Sequence, residues 1–330
     1  MAHVTVIIPT YNRAHCIGVA IESVLGQSFT DLELLIVDDG STDGTTQVVE
    51  QYLPNSGSQG PKVRFLQLSH KGKSAALNAA LRSVESEWVA FLDSDDEWLP
   101  EKLERQFEAL KRFPDVQVCF TDFLCINNPK MDTTIFRFYG RSFDGCFGRV
   151  SNTVDAILDT PFVSVVTLVC RTELVRQVGA FDPSLRFTED YDFVFRLALS
   201  REFCYVNEPL VRVDRSIPTV RHTGTSAIWD DIDFRLNCER YRFNKWLGMG
   251  DMLSPSTRRK IRVKLRGVHS SFANQHLRRR EYDRALESIG KAFDYQITPA
   301  LVAKWLLTIC LPSAARTLTL GRRGFKTEQF

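Results

Sequence analysis

Short apolar runs alternate with amphipathic stretches through the first 120 positions, the pattern of a parallel sheet covered on both faces by helices. Residues 4–10, 32–38, 62–68, 88–93 and 116–121 read as strands, and residues 14–25, 45–53, 74–84 and 99–113 as helices. In the last helix Leu99, Leu103, Phe107 and Leu110 fall near one face, Glu101, Glu104, Lys111 and Arg112 point to water, and Pro100 suits the first turn. The pattern degrades between residues 126 and 160, then a β-branched run resumes at 163–170 and a helix signal follows from Thr172. From Ser226 onward the chain reads as helical, with segments near 227–246, 255–277 and 282–293 and a shorter apolar piece at 301–311. The expected architecture is an α/β fold with a mixed sheet flanked by helices over residues 1–226, followed by a helical extension over 227–330.

Composition sharpens this division. The 330 residues are 44% hydrophobic and 25% charged, which excludes disordered and collagen-like chains. The net charge of +2 conceals an asymmetry: residues 255–330 hold 16 Lys/Arg against 5 Asp/Glu, leaving a net negative N-terminal part. The eight cysteines are scattered, with neither a close Cys-x-x-Cys pair nor a zinc-type Cys/His cluster, so reduced and mostly buried thiols are expected. Met1 runs directly into His3-Val4-Thr5-Val6 without a basic region, apolar core and cleavage site, which predicts a cytoplasmic protein.

In open α/β sheets ligands bind beyond the carboxyl ends of the strands, so polar residues that end apolar runs carry the chemistry. The first run ends in Pro9-Thr10-Tyr11-Asn12-Arg13, the second in Asp38-Asp39-Gly40-Ser41-Thr42-Asp43 and the fourth in Asp93-Ser94-Asp95-Asp96. Asp93 and Asp95, two apart in extended backbone, would point the same way and could hold a divalent cation under a diphosphate. The alternative is that Asp95 or Asp96 caps the following helix. Asp38 and Asp39 repel one another unless a cation or an N–H donor lies between them, while Ser41, Thr42 and Asp43 suit a turn. Tyr11 offers a ring face to a nucleobase, Arg13 a phosphate or base contact, and Thr10 its backbone groups. Glu189 and Asp190 open a probable helix, where acids are stabilised by the macrodipole; one of them could also accept a proton from an incoming hydroxyl. His222 reads as a loop histidine or a third metal ligand. Gly72-Lys73-Ser74 resembles the tail of a phosphate-binding loop, but Gln67 stands where that motif needs its first glycine.

The order of these motifs, Ile7-Ile8-Pro9-Thr10-Tyr11-Asn12-Arg13, Val37-Asp38-Asp39-Gly40-Ser41-Thr42-Asp43, Phe91-Leu92-Asp93-Ser94-Asp95-Asp96 and Glu189-Asp190-Tyr191-Asp192, resembles the family 2 glycosyltransferases with the Rossmann-like GT-A fold. The resemblance covers roughly residues 4–226. It implies inverting transfer of a sugar from a nucleoside diphosphate donor, UDP- or dTDP-linked, to a hydroxyl acceptor, with Mg²⁺ or Mn²⁺ as cofactor. Thr10, Tyr11, Arg13 and Asp39 then contact the nucleoside, and Pro9, Lys73, Asp93 and Ser94 complete the donor-binding set. Asp93 and Asp95 match the metal pair, Asp190 the catalytic base, and His222 a His-containing loop that adds a metal ligand. One departure stands out: family members often carry Ala-Arg-Asn where this chain has Ala76-Leu77-Asn78, which leaves Lys71 or Lys73 to supply the cation.

The C-terminal segment lies outside the resemblance. Its basic clusters, Arg258-Arg259-Lys260, Arg262, Lys264, Arg266 and Arg278-Arg279-Arg280, either form solvated helix faces or lie against anionic lipid, giving a peripheral contact with the cytoplasmic membrane face. The apolar piece at 301–311 is too short to span a bilayer. The partners expected are a nucleoside diphosphate sugar and a glycan or lipid-linked acceptor of polysaccharide or glycolipid synthesis, with no nucleic acid. Competing readings are a sugar nucleotidyltransferase, for which no triphosphate loop follows the first strand, and a non-catalytic scaffold that uses the basic tail.

Overall fold

The strands β1 (Val4–Thr10) and β2 (Leu32–Asp38) are buried along their whole length, as continuous apolar runs in the middle of a doubly covered sheet should be. This computed structural model describes residues 2–53, 61–128, 131–185, 187–215 and 231–321. Two compact units divide the chain, Met1–Val220 and Arg221–Phe330.

The first unit is built on one mixed sheet. Parallel pairing joins β1 to β2 and to β4 (Trp88–Phe91), and β2 to β3 (Lys62–Gln67). The connections run through α1 (Ile17–Leu25), α2 (Thr45–Glu50) and α3 (Lys73–Arg82). Beyond β4 the sheet continues through an antiparallel β8 (Val169–Arg171) to β6 (Val118–Ile126), β9 (Phe203–Asp214) and β5 (Glu97–Trp98), while β7 (Phe147–Val150) also pairs with β9. The remaining helices of this unit are α4 (Lys102–Arg112), α5 (Ile135–Phe138), α6 (Thr153–Asp159), α7 (Thr172–Gln177) and α8 (Glu189–Ser200).

An aromatic cluster closes the antiparallel half. Phe120 meets Phe136, Phe162 and Phe203 edge to face at centroid distances of 5.9, 5.7 and 6.3 Å. Gly148 on β7 lies so close to the Tyr205 ring that a Cβ there would collide with the phenol group. All eight cysteines are free thiols, four of them buried.

Several sequence expectations are corrected. The run 163–170 forms a 3-10 turn at Val165–Thr167 and only the short β8, because its side chains fill the core instead of extending a ladder. Strand β6 reaches Ile126, beyond the expected end at 121, and a further strand, β9, runs to Asp214. Helix α4 begins at Lys102, so Pro100 precedes it, and neither Asp95 nor Asp96 caps it; its N-cap is Glu101. Its buried face includes Lys102 and Gln106. Gln106 donates to the carbonyls of Cys119 and Thr167 at 3.0 and 2.9 Å and accepts from Lys102 Nζ at 2.7 Å.

The second unit is helical among its described residues: α9 (Ile232–Leu247), α10 (Pro255–Arg278), α11 (Tyr282–Phe293), α12 (Pro299–Cys310) and α13 (Pro312–Gly321). The long α10 starts with Ser254 accepting from Thr257 N at 3.0 Å and Pro255 in the first turn. Its Ile261, Leu265, Val268, Phe272 and Leu277 are buried at helical spacing and pack toward α9, α11 and α13. Ala285, Ile289 and Ala292 form the inward face of α11. No helix among the described residues is long and apolar enough to cross a membrane.

Candidate active site

The loops at the carboxyl ends of β1, β2 and β4 are tied together by their own polar side chains. Asn12, at φ 53°, accepts from Thr42 N at 2.8 Å, and Ser41 Oγ accepts from Asn12 N at 2.8 Å. Asp43 accepts from Ala14 N at 3.2 Å and from Thr45 N at 2.9 Å. The repulsion expected between Asp38 and Asp39 is relieved by N–H donors. Asp38 takes Ser41 N at 3.0 Å, while Asp39 takes Lys71 N at 2.9 Å and Gly72 N at 2.7 Å. Oδ1, which takes only the Lys71 N–H, keeps a second lone pair, so Asp39 can still accept from a ligand.

His70 Nδ1 lies 2.9 Å from Asp39, and its ring stacks on Tyr11 with centroids 4.1 Å apart. One face of Tyr11 is therefore covered by a side chain that no local motif singles out. Thr10 is buried; its carbonyl accepts from Asp39 N at 2.9 Å, and its hydroxyl has no partner. Pro9 pairs in register with Val37 at the end of β1.

Strand β4 ends at Phe91, so Asp93 and Asp95 do not share an extended face as expected. A turn, closed by Asp96 N donating to Asp93 O at 3.1 Å, brings the three carboxylates together instead, Asp96 buried and Asp95 exposed. One oxygen from each of Asp93, Asp95 and Asp96 lies within 4.8 Å of the others, and Ser94 between them is buried. Burial and then the neighbouring Asp93 hold the Asp95 carboxyl above its ordinary range, against Arg13, whose guanidinium is 3.7 Å away. Burial, Asp95 and Asp93 raise Asp96 further, against Arg215.

Lys73, in the first turn of α3, joins this cluster to α8. Its ammonium is 2.8 Å from Asp93, 3.6 Å from Asp190 and 3.8 Å from Glu189. Burial alone would lower its pKa; Asp190, Asp93 and Glu189 outweigh that and raise it. Burial raises Asp190, opposed by Lys73, and burial with the adjacent Asp190 raises Glu189 to about 8. One oxygen of Asp190 is buried with no hydrogen-bond partner. Thr188, which precedes the pair, holds a left-handed φ of 75°, a conformation a β-branched residue adopts only under strain.

Asp192 serves another purpose: fully buried, it holds Arg196 at 2.8 Å, which donates to the carbonyls of Val178 and Ala180. Lys71 contributes its backbone N–H rather than its ammonium to Asp39. Leu77 is packed in the core, and Asn78 bonds both the N–H and carbonyl of Phe181. His222 and the segment 221–226 lie outside the described residues.

Arg215, at the end of β9, was not singled out by the sequence. Its guanidinium feels Asp96, Tyr191, Cys125 and Asp93, which hold its pKa up although burial acts to lower it. Its only signal is a cation just past an alternating apolar stretch. With Arg13, Lys73 and Arg215 set against Asp93, Asp95, Asp96, Glu189 and Asp190, the fully ionised site carries two uncompensated negative charges. An all-oxygen cluster with that deficit suits a hard divalent cation.

Residues 5–147 match the family described as Glycosyl transferase family 2. Among curated proteins, the UDP-Glc:alpha-D-GlcNAc-diphosphoundecaprenol beta-1,3-glucosyltransferase WfgD of Escherichia coli is 34% identical over 168 residues, 48% of this chain and 62% of that protein. The chain spans about 63% of the length of the first curated relatives it matches, glycosyltransferases at 26% identity. In fold it is similar to S. aureus TarS 1-349 in complex with UDP-GlcNAc, with a TM-score of 0.65 and 22% identity over 96% of this chain and 88% of that one. It is also similar to mannosyltransferase PcManGT from Pyrobaculum calidifontis in complex with GDP-Man and Mn2+, at 0.58 and 20% over 97% and 84%. The ordered motifs, the GT-A-like sheet and the acidic site at its strand ends agree with that similarity to glycosyltransferase family 2, which spans residues 5–147 of the chain.

Proposed function

We propose that the first unit catalyses inverting transfer of a sugar from a UDP- or dTDP-linked donor to an acceptor hydroxyl in polysaccharide or glycolipid synthesis. The observation that carries this reading is the Lys73 ammonium, which brings Asp93 on the donor side and Asp190 on the acceptor side to one point. The nucleoside is received at the ends of β1 and β2, where Pro9, Thr10 and Tyr11 form the floor and Asp39 keeps a free lone pair for a base N–H. Arg13 and Ser94 flank the diphosphate.

Asp93, Asp95 and Asp96 would hold Mg²⁺ or Mn²⁺, which when bound neutralises charge developing on the departing diphosphate. The cation of PcManGT and the nucleotide of TarS support the cofactor and donor classes. Lys73 takes the place of the arginine missing at Leu77. In the reaction the acceptor oxygen forms a bond to the anomeric carbon, the bond from that carbon to the diphosphate oxygen breaks, and Asp190 receives the hydroxyl proton. Its buried, unpartnered oxygen and raised pKa suit a general base. The acceptor is a glycan or a lipid-linked sugar, with the basic helices of the second unit against an anionic membrane face.

The test begins with thermal shifts of the whole chain with UDP-, dTDP- and GDP-sugars, with and without Mn²⁺, since binding to the native state alone raises its stability. With the donor so found, Asp190→Asn is expected to slow nucleotide release by about 10²–10⁴-fold while donor affinity stays within a few fold. No shift with any nucleotide sugar refutes the transferase reading, and unchanged turnover removes Asp190 from the base role.

A further inference from the structure

Helix α10 carries seven Lys/Arg and no Asp/Glu in its 24 residues. Three of these, Arg258, Arg259 and Arg262, line a groove of about 570 Å³ with Tyr295 and Gln296, which follow α11. All three are exposed. Arg258 donates to the Gly250 carbonyl at 2.8 Å, and Arg259 and Arg262 have no acidic partner among the described residues. Two other exposed arginines, Arg149 and Arg279, are by contrast paired, with Asp115 and Asp233. The far wall is held in place: Gln296 accepts from Arg266, and Tyr295 stacks on His269 with centroids 5.6 Å apart. A fixed concave site with unpaired guanidinium groups is complementary to a phosphate.

The surroundings select the kind of phosphate. Met252 and Ile297, close in sequence to the groove residues, are 66% and 68% exposed, and Val263 lines the groove itself. Directly after Ile297, α12, α13 and the Leu311 between them turn Trp305, Leu306, Ile309, Leu311, Leu318 and Leu320 to solvent. Only Leu301 and Thr308 of α12 are buried. A soluble phosphate ester would use the arginines and leave this apolar surface in water. A lipid uses both, because its phosphate meets the cations while large apolar side chains enter the boundary between headgroups and acyl chains.

We propose that the second unit docks on an anionic lipid surface, with Arg258, Arg259 and Arg262 seating a headgroup phosphate and the outward face of α12 and α13 entering the membrane interface. This rests on the membrane-side acceptor proposed above and is independent of the chemistry at Asp190.

The test is co-sedimentation of the full chain with vesicles of phosphatidylcholine alone or with roughly one third phosphatidylglycerol. Two variants accompany it, Arg258→Gln/Arg259→Gln/Arg262→Gln and Leu306→Ser/Ile309→Ser/Leu318→Ser. The substituted side chains are exposed, so both variants should fold, which thermal melts verify. The chain is expected to bind the anionic vesicles, and added salt to weaken it. The arginine variant should bind about 100-fold more weakly, near fivefold for each cation. The apolar variant should lose at least about 10-fold on vesicles while keeping its affinity for inorganic pyrophosphate. Nucleotide release without vesicles should be the same in all three, so a failed transferase reading would show there and not in sedimentation.

Absence of binding to anionic vesicles overturns the proposal, as does binding that survives the arginine substitutions. Pyrophosphate binding without vesicle binding assigns the groove to a soluble phosphate instead. Full vesicle affinity in the apolar variant removes α12 and α13 from the docking face.

Discussion

Lys102 is fully buried beneath the sheet, with Gln106 Oε1 at 2.7 Å and the Trp98 ring at 3.8 Å as its close partners. Cys119 on β6 and Cys170 on β8 are the titratable groups that face it, and both are held as neutral thiols by burial. Burial lowers the lysine to about 7 from the 10.5 of the free side chain. A drop of this size corresponds to about 5 kcal/mol against the charged form when both states are protonated. Because the folded pKa is the lower one, the unfolded chain binds the extra proton between pH 7 and 10.5. Stability therefore rises with pH across that window, and the penalty is complete below pH 7.

Integrating over pH 7 to 9 gives a gain of about 2 kcal/mol from this one group. Lys102→Met removes the penalty but strands the Gln106 oxygen, at a cost of about 1–3 kcal/mol. The variant should be more stable than the parent at pH 7 by about 2 kcal/mol and lose that advantage by about pH 9. Urea unfolding of both proteins at pH 7, 8 and 9 measures the difference, in which all other titrations cancel. Parallel stability curves would show that the lysine is not titrating in the fold, and the burial argument would fail.

Gly148→Ala should destabilise by about 1–3 kcal/mol in thermal melts, because the new methyl meets the Tyr205 ring; an unchanged melting temperature would show that the ring can move aside. Asp39→Ala should destabilise the ligand-free protein by about 2–4 kcal/mol in thermal melts, since two backbone N–H groups lose their acceptor. Loss of donor affinity with unaltered melting would mean that the carboxylate serves the nucleoside alone. Asp95→Ala should abolish the Mn²⁺ dependence of donor binding in calorimetry, and equal affinity with and without the ion in the parent protein would count against the cation site.

The limits of local sequence patterns show in particular residues. Strands β1 and β2 coincide with their apolar runs because a strand buried on both faces has no polar position to blur its ends. Strand β9 escaped notice because Asn207, Glu208 and Arg212 face outward within it, so only part of the run is apolar. In α4, periodicity marked the leucines correctly but not Lys102 and Gln106, whose burial depends on Trp98 and on the carbonyls of Cys119 and Thr167.

The acidic residues of the site were legible as polar ends of apolar runs, since β-strands deliver such ends to one edge of a sheet. How they meet was not. Asp93 and Asp95 converge through a turn, Asp39 is satisfied by N–H groups more than thirty positions away, and Lys73 spans loops from opposite halves of the unit. His70 and Arg215 acquire their places only when the β2 and β9 ends are in position. Local chemistry and spacing thus determined which elements form and which side chains could react. The closure of the sheet decided which charges face one another, because that depends on distances through space which no short stretch of chain encodes.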